Sequence, residues 1–554
     1  MNTLLPWLIA LPVALLSIRW VVRRLRLSRA KHPSLRGHSR MAKRAARWIP
    51  RYELIGERFF AADAAPADVV DRRRTGFERL AERFSTRSPN SVERLGRLAE
   101  RIPDLDFIGR YRVPFQFSSM VRKNLTSGVL VESSAGSTIT DIDGNEFIDL
   151  TGAYGVKVFG TDHYKRWIAE GARRVEALGP VLGPYHPIIE RNVEALKRIS
   201  GLDAVSFHMS GTEAVMQAVR LARYHTGKSH IVRFCGAYHG WWDDVQPGIG
   251  NPATPGKVYT LAEMSDKTLK VLATRSNIAC VLVNPLQALH PNANAPGDGA
   301  LIAAERSASF DRQAYSDWLK RLRAICSQAG IVLIFDEIFV GFRIAARGAQ
   351  EYFGVQADLV TYGKTLGGGL PVGVLCGRAE LMKRYRDDRP VDICFARGTF
   401  NSHPYVLGAM AAFLDHYESG PVQGIYETLE ADWEARAARF NAALEKAGLP
   451  LRIAKLSSIF TVLYDAPSRY NWMLQFYLNA EGILLPWTGT GRLIFPIAPD
   501  GVMFDEVIQR FVRAGHAMQA DGWWWHPPGA DNRSVKREIL RETLRARLLR
   551  GAST

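Results

Sequence analysis

From about residue 127 onward, short apolar runs of strand length alternate with stretches of helical periodicity, and this alternation restricts the chain to few folds. The runs are Ala204–His208, Ile231–Phe234, Ile278–Val283, Ile331–Phe335 and Asp358–Tyr362; helical patterns such as Glu213–His225 and Tyr315–Ala329 lie between them. Runs that are apolar throughout belong to strands buried on both faces, as when helices cover both sides of a mainly parallel sheet. With 554 residues the chain is also too long for a single core. In sheets of this kind ligands gather beyond the carboxyl ends of the strands. The residues that follow each run are therefore the first candidates for chemistry.

Ser210-Gly211-Thr212 follows the first run and opens a helix. Small residues and a hydroxyl at a helix N-terminus present backbone N–H groups and the positive dipole end to a phosphate, although the same residues also make an ordinary N-cap. Gly236-Ala237-Tyr238-His239-Gly240 follows the second. An aromatic beside glycines there can stack on a planar ring, or simply pack a turn. Asp336-Glu337-Ile338 follows Ile331–Phe335. A carboxylate at the end of a wholly apolar strand is costly without a cation, and a protonated pyridinium nitrogen is such a partner. Gly363-Lys364-Thr365-Leu366-Gly367-Gly368-Gly369 closes the series, with a lysine sterically open to an aldehyde. Desolvation and neighbouring positive charge lower a lysine's pKa, as imine chemistry requires. Gly-Lys-Thr also ends a nucleotide-binding P-loop, but that motif needs a glycine where Asp358 stands. A phosphate cradle, a stacking aromatic, a buried carboxylate and an open lysine together form the set that pyridoxal 5′-phosphate (PLP) needs.

The net charge of +17 has a different origin. Twelve Lys/Arg fall between Arg19 and Arg51, with no acidic residue before Glu53, and a second basic stretch runs from Lys536 to Arg550. The basic run lacks interleaved aromatics beyond Trp48 and Tyr52, which argues against nucleic acid. It follows the apolar segment Leu4–Val22, bounded by Trp7 and Trp20. Charge after the apolar run, not before it, predicts a retained single-pass anchor in membrane lipid with a cytoplasmic body. A helix lying in the membrane surface, or docked on the protein itself, is the competing reading. Trp523-Trp524-Trp525 ahead of the basic tail either meets the membrane or packs on the protein's own surface. The five cysteines have no ligand spacing, so neither a metal site nor a disulfide scaffold is expected.

The strand-end motifs resemble those of class III PLP-dependent aminotransferases. Ser210-Gly211-Thr212-Glu213-Ala214 with Arg220-Leu221-Ala222-Arg223 is similar to the family signature, and Tyr238-His239-Gly240, Gly363-Lys364 and Gly398-Thr399-Phe400 resemble later blocks. Asp336-Glu337-Ile338 with Gly341-Phe342-Arg343 is most similar to glutamate-1-semialdehyde aminomutases. The resemblance spans about residues 115–515. It implies an α/β fold-type I homodimer, with a mainly parallel sheet and a smaller C-terminal α+β domain. The boundaries it suggests are a membrane helix at 1–22, a basic helical extension at 23–114 and an entry segment at 115–200. A PLP domain at 201–405, a small domain at 406–520 and a basic helical tail at 521–554 follow.

By the same resemblance Lys364 carries the cofactor as an imine and moves the proton. Asp336 pairs with the pyridine nitrogen, Tyr238 and Ile338 cover the two ring faces, and His239 is a further expected cofactor contact. Ser210, Gly211 and Thr212 hold the phosphate, and Thr399 reaches it from the partner subunit. Arg122 and Tyr154 are the candidate substrate contacts. The family's Glu-Pro-Val block reads Asn284-Pro285-Leu286 here, His163-Tyr164 departs from Gly-His-x-His-Pro, His403-Pro404 replaces Asn-Pro, and Leu301–Ser316 looks inserted. The expected activity is transfer of an amino group from a small-molecule donor to a carbonyl acceptor, with a lipophilic acceptor suggested by the anchor. The alternatives are a 2,1-aminomutase and an inactive tethered scaffold.

Overall fold

The apolar runs become the central sheet. The computed structural model describes residues 5–34, 38–246, 248–252, 256–292, 310–486 and 492–551. Seven strands form that sheet: β1 (Ala204–His208), β2 (His230–Phe234), β3 (Val258–Leu261), β4 (Ile278–Val283), β5 (Val332–Asp336), β6 (Leu359–Gly363) and β7 (Gly373–Gly377). Their spatial order is β1-β7-β6-β5-β4-β2-β3. All neighbours from β3 to β6 pair in parallel, whereas β7 runs antiparallel to both β1 and β6. Every residue of β4 to β7 is buried, which accounts for their unbroken apolar runs. β3 and β7 were not among the strands read from the sequence. β3 is four residues long with Tyr259 and Thr260 at its centre, and β7 follows closely on a glycine run that reads as loop.

A second, three-stranded antiparallel sheet (Leu451–Leu456, Ile459–Tyr464, Arg492–Ile494) lies toward the C-terminus. Aromatic packing ties it to the helices Gly420–Lys446 and Gly501–Ala520 through Trp433, Phe440, Phe460 and Phe504. Arg343, fully buried after β5, links the two parts. Its guanidinium donates to Ser458 Oγ, the Phe495 carbonyl and the Lys157 carbonyl.

The N-terminal extension is helical, in α1 (Leu5–Ala30), α2 (Ser39–Trp48) and α3 (Ala67–Arg87). α4 (Asp266–Thr274) follows β3 in the chain, and α5 (Asn532–Gly551) is the C-terminal helix. Buried Arg73 of α3 pairs with Asp63 at 2.7 Å, donates to the Gly522 carbonyl and stacks over Tyr470 at 4.4 Å. Trp523 is fully buried beside it and Trp524 nearly so. The tryptophan run thus packs on the protein's own surface, not in lipid.

The expected membrane-spanning anchor does not carry over. Leu4 and residues 301–309 of the inserted stretch lie outside the described residues, and described side chains of α1 begin at Pro12. Among the described residues no helix is long and apolar enough to cross a membrane. The helix turns basic at Arg19, Arg23, Arg24 and Arg26, and its last turns dock on the central domain. Ala30 is fully buried, its carbonyl accepts from Ala262 N–H at 2.8 Å, and Arg275 reaches the Arg23 carbonyl at 3.2 Å.

Candidate active site

The carboxyl ends of β1, β2, β4, β5 and β6 open into a cavity of about 730 Å³. Ser210, Gly211, Thr212, Tyr238, Asp336, Ile338 and Lys364, all singled out from the sequence, line it together.

Lys364 follows β6 directly and has φ +52°, a left-handed conformation that a β-bearing residue adopts only when its surroundings hold it there. Its ammonium group lies 4.6 Å from the Phe339 ring centroid. Burial pushes its pKa down from 10.5 to about 8; Asp336 opposes that shift, while Arg343 and Arg492 add to it. Such a lysine reaches its neutral, nucleophilic form at far lower pH than an ordinary lysine, as carbonyl attack demands. Behind it, Tyr164 Oη bonds Thr365 Oγ1 at 2.8 Å, accepts from Val158 N–H at 2.8 Å and donates to the Val156 carbonyl at 2.5 Å. That network fixes the turn carrying the lysine against the opposite wall.

Asp336 ends β5 and is buried. One carboxylate oxygen faces His239 Nδ1 at 2.8 Å; the other accepts from Ile338 N–H at 3.3 Å and Thr361 Oγ1 at 3.4 Å. His239 stands behind the carboxylate and does not line the cavity, so its role is to orient Asp336. Tyr238 faces the cavity with its ring half-exposed, and its carbonyl is held by Asn284 Nδ2 at 2.9 Å. The residue in place of the family's glutamate therefore props the stacking aromatic.

Ser210 is the N-cap of the helix Gly211–Thr226. Its hydroxyl accepts from Glu213 N–H at 3.3 Å while the Glu213 carboxylate takes Met209 N–H at 3.0 Å. The Ser210 hydroxyl caps the helix as an acceptor and keeps its O–H proton to donate, so Ser210 can join the Gly211 and Thr212 backbone and the Thr212 hydroxyl in the cradle. A Cβ on Gly211 would lie 2.5 Å from Ile338 Cδ1, and one on Gly240 would lie 2.5 Å from Thr212 Oγ1. Only glycine leaves that cradle open. A capped helix start, a buried carboxylate for a pyridinium proton, a half-exposed ring and a lysine of lowered pKa fit PLP group by group.

The other wall comes from sequence-distant segments. Gly152, Ala153, Tyr154 and Gly155 are all left-handed, with φ of +52°, +45°, +56° and +98°. Glycine is required at Gly155, where a Cβ would meet the Phe339 ring at 2.6 Å. This turn presents Tyr154, as expected, and Val156. Leu286 and His290 follow β4, while Pro486, Arg492 and Ile494 come from the C-terminal part. Arg492 was not read from the sequence, because it sits in a three-residue strand with no motif around it.

Of the remaining expected contacts, Arg122 is engaged elsewhere and Thr399 was expected to act from the partner subunit. Arg122 pairs with Asp106 at 3.2 Å and does not line the cavity, so the carboxylate it was expected to bind would have to displace an ion pair. Thr399 is exposed and likewise absent from this chain's cavity lining.

Comparison with known proteins is consistent with this geometry. The family model for class-III aminotransferases matches residues 119–455. The glutamate-1-semialdehyde 2,1-aminomutase of Geotalea daltonii is 32% identical over 393 residues, spanning 67% of this chain and 86% of that protein. A transaminase solved with PLP bound superposes with a TM-score of 0.59 at 26% identity, over 71% of this chain and 92% of that one. A glutamate-1-semialdehyde aminomutase from Pseudomonas aeruginosa superposes with a TM-score of 0.62 over 82% of this chain and 99% of that one. At 20% identity it speaks for the fold alone.

Proposed function

Because the chain belongs to the class-III aminotransferases and is a PLP-dependent enzyme of that class, we propose that its cavity moves an amino group between neighbouring carbons of one substrate, in the manner of a 2,1-aminomutase. The observation that carries the amino-transfer chemistry is the meeting of Lys364 and Asp336 in one cavity. The aminomutase reading is supported by similarity across 86% of such an enzyme.

Bound in this cavity, PLP supplies an electron sink for negative charge at the carbon bearing the amine. Lys364 Nζ holds the cofactor and shuttles the proton at that carbon. Asp336, oriented by His239, keeps a proton on the ring nitrogen. Gly211 and Thr212 bind the phosphate, with Tyr238 and Ile338 on the two sides of the ring, and Arg492 orients a substrate carboxylate. We also read the enzyme as a homodimer in which Thr399 of one subunit reaches the phosphate of the other. Exposed Trp241, Phe395 and Phe400 support this reading. The five buried thiols suit a cytoplasmic body.

A second reading, intermolecular transamination onto a lipophilic carbonyl acceptor, is favoured by the apolar residues Leu286, Phe339, Leu370 and Ile494 around the cavity and by Arg122 being held by Asp106. The deciding experiment presents the pyridoxamine-phosphate form with glutamate 1-semialdehyde and no donor. In parallel, the PLP form receives single amino acids and long-chain aldehydes. Product with the amine moved from C2 to C1 supports the first reading, while turnover only in the two-substrate assay supports the second. Turnover in neither overturns both.

A further inference from the structure

We infer that α1, α2 and α5 form one docking face for an anionic lipid bilayer, with α1 entering a single leaflet and the other two helices resting on the headgroups. The inference rests on the chain ends and is independent of the reaction assigned to the cavity.

Every described residue of α1 from Pro12 to Arg26 is exposed, including Leu16, Ile18 and Trp20, at 64%, 59% and 59%. Val13, Leu15 and Ile18 are consecutive enough to point in different directions around the helix, and all are exposed. A protein partner covers one stripe of a helix, whereas a helix apolar all round needs an apolar medium on every side. The uncharged part of α1, residues 5–18, is about 21 Å long at 1.5 Å per residue, shorter than the roughly 30 Å hydrocarbon core. It suits insertion into one leaflet, which agrees with the lack of a spanning helix among the described residues.

The charges that follow are matched to headgroups. Residues 1–52 contain no Asp or Glu. Arg19, Arg23 and Arg24 emerge from the exposed part of α1, with Trp20 beneath the Arg24 guanidinium at 5.0 Å, an arrangement suited to a membrane interface. α2 adds Arg40, Arg44 and Arg47, all exposed.

The structure brings α5 to the end of α2. Arg547 stacks over Trp48 at 5.0 Å and donates to its carbonyl at 2.9 Å. Glu542, one of the two acidic residues in α5, turns inward to Arg469 at 2.6 Å and Tyr52 at 3.1 Å. The other, Glu538, lies 3.7 Å from Arg541. What α5 leaves outward is Arg537, Arg541 and Arg545, interspersed with exposed Leu540, Leu544 and Leu548. Two segments some 490 residues apart thus make a single basic and apolar surface, the chemistry of an interfacial anchor.

The test is co-sedimentation of the full-length holoenzyme with vesicles of phosphatidylcholine alone or with added phosphatidylglycerol. The expected result is pelleting with the anionic vesicles, weakened by salt. Reversal of Arg537, Arg541 and Arg545 to Glu should lower that partition about 100-fold, and Leu15→Glu with Ile18→Glu should abolish it. An unchanged PLP absorbance spectrum in each variant shows that the body still folds. Wild-type protein that stays in solution with anionic vesicles overturns the inference, as does full binding by the α5 variant. Self-association dispersed by Leu15→Glu, without vesicle binding, would assign α1 to a second copy and overturn it equally.

Discussion

The cavity has two walls of different origin. The cofactor wall is built from residues immediately following strands β1, β2, β5 and β6, so each contact sits in a short motif whose chemistry is legible in isolation. The substrate wall is assembled from the Gly152–Gly155 turn, the segment after β4 and the strand Arg492–Ile494; Tyr154 and the Asn284 block were marked only by family resemblance, and Arg492 by nothing local. Strand ends are fixed by backbone pairing, so a motif placed there has a predictable position. Side chains that meet only through domain packing carry no such signal. Reaction class is therefore written in the first wall and substrate choice in the second.

If that division holds, substitutions in the first wall should affect all substrates alike, and those in the second should sort them. The largest effect is expected for Asp336→Asn, which removes the group holding the ring-nitrogen proton. Turnover should fall about 10²–10³-fold for every substrate, measured by steady-state kinetics on PLP-saturated protein. Arg492→Leu should raise KM for carboxylate-bearing substrates about 10–100-fold while leaving kcat for uncharged amines unchanged. An equal loss on both substrate classes would break the distinction between the walls. Gly240→Ala, which crowds Thr212 from a left-handed position, should weaken PLP binding about tenfold, read by cofactor titration of apoenzyme.

The smallest effect is a pH dependence. Lys364 has its pKa lowered by burial to about 8, against 10.5 for an unperturbed lysine. Its ammonium form cannot attack a carbonyl, so PLP uptake by apoenzyme should rise with pH through about 8 and then level off. A rate still climbing toward pH 10.5 would show that the lysine is not desolvated.

The sequence carried much of the fold and about half of the site. Five strands of the central sheet were legible from short runs of strand length, clearest in β4, β5 and β6, which are buried throughout. β7 was not, since Gly367-Gly368-Gly369 before it reads as a turn and its antiparallel pairing belongs to no βαβ repeat. Ser210 was legible as a helix start, and its hydroxyl accepts from Glu213 N–H as a cap does. Arg122 shows the opposite case, a matching motif whose side chain the N-terminal extension has taken for Asp106. The apolar N-terminus was read as a spanning anchor from the length of its apolar run, its flanking tryptophans and the charge that follows it. Its last turns instead depend on contacts with α4 that no local pattern encodes, such as Arg275 to the Arg23 carbonyl and the burial of Ala30.

The most direct test of the assignment is borohydride reduction of the PLP-loaded protein, followed by peptide mapping in a mass spectrometer. A phosphopyridoxyl group on the peptide containing Lys364, and on no other lysine, is the expected result. A modification at another lysine, or none after reconstitution with PLP, would contradict the placement of the cofactor at the end of β6.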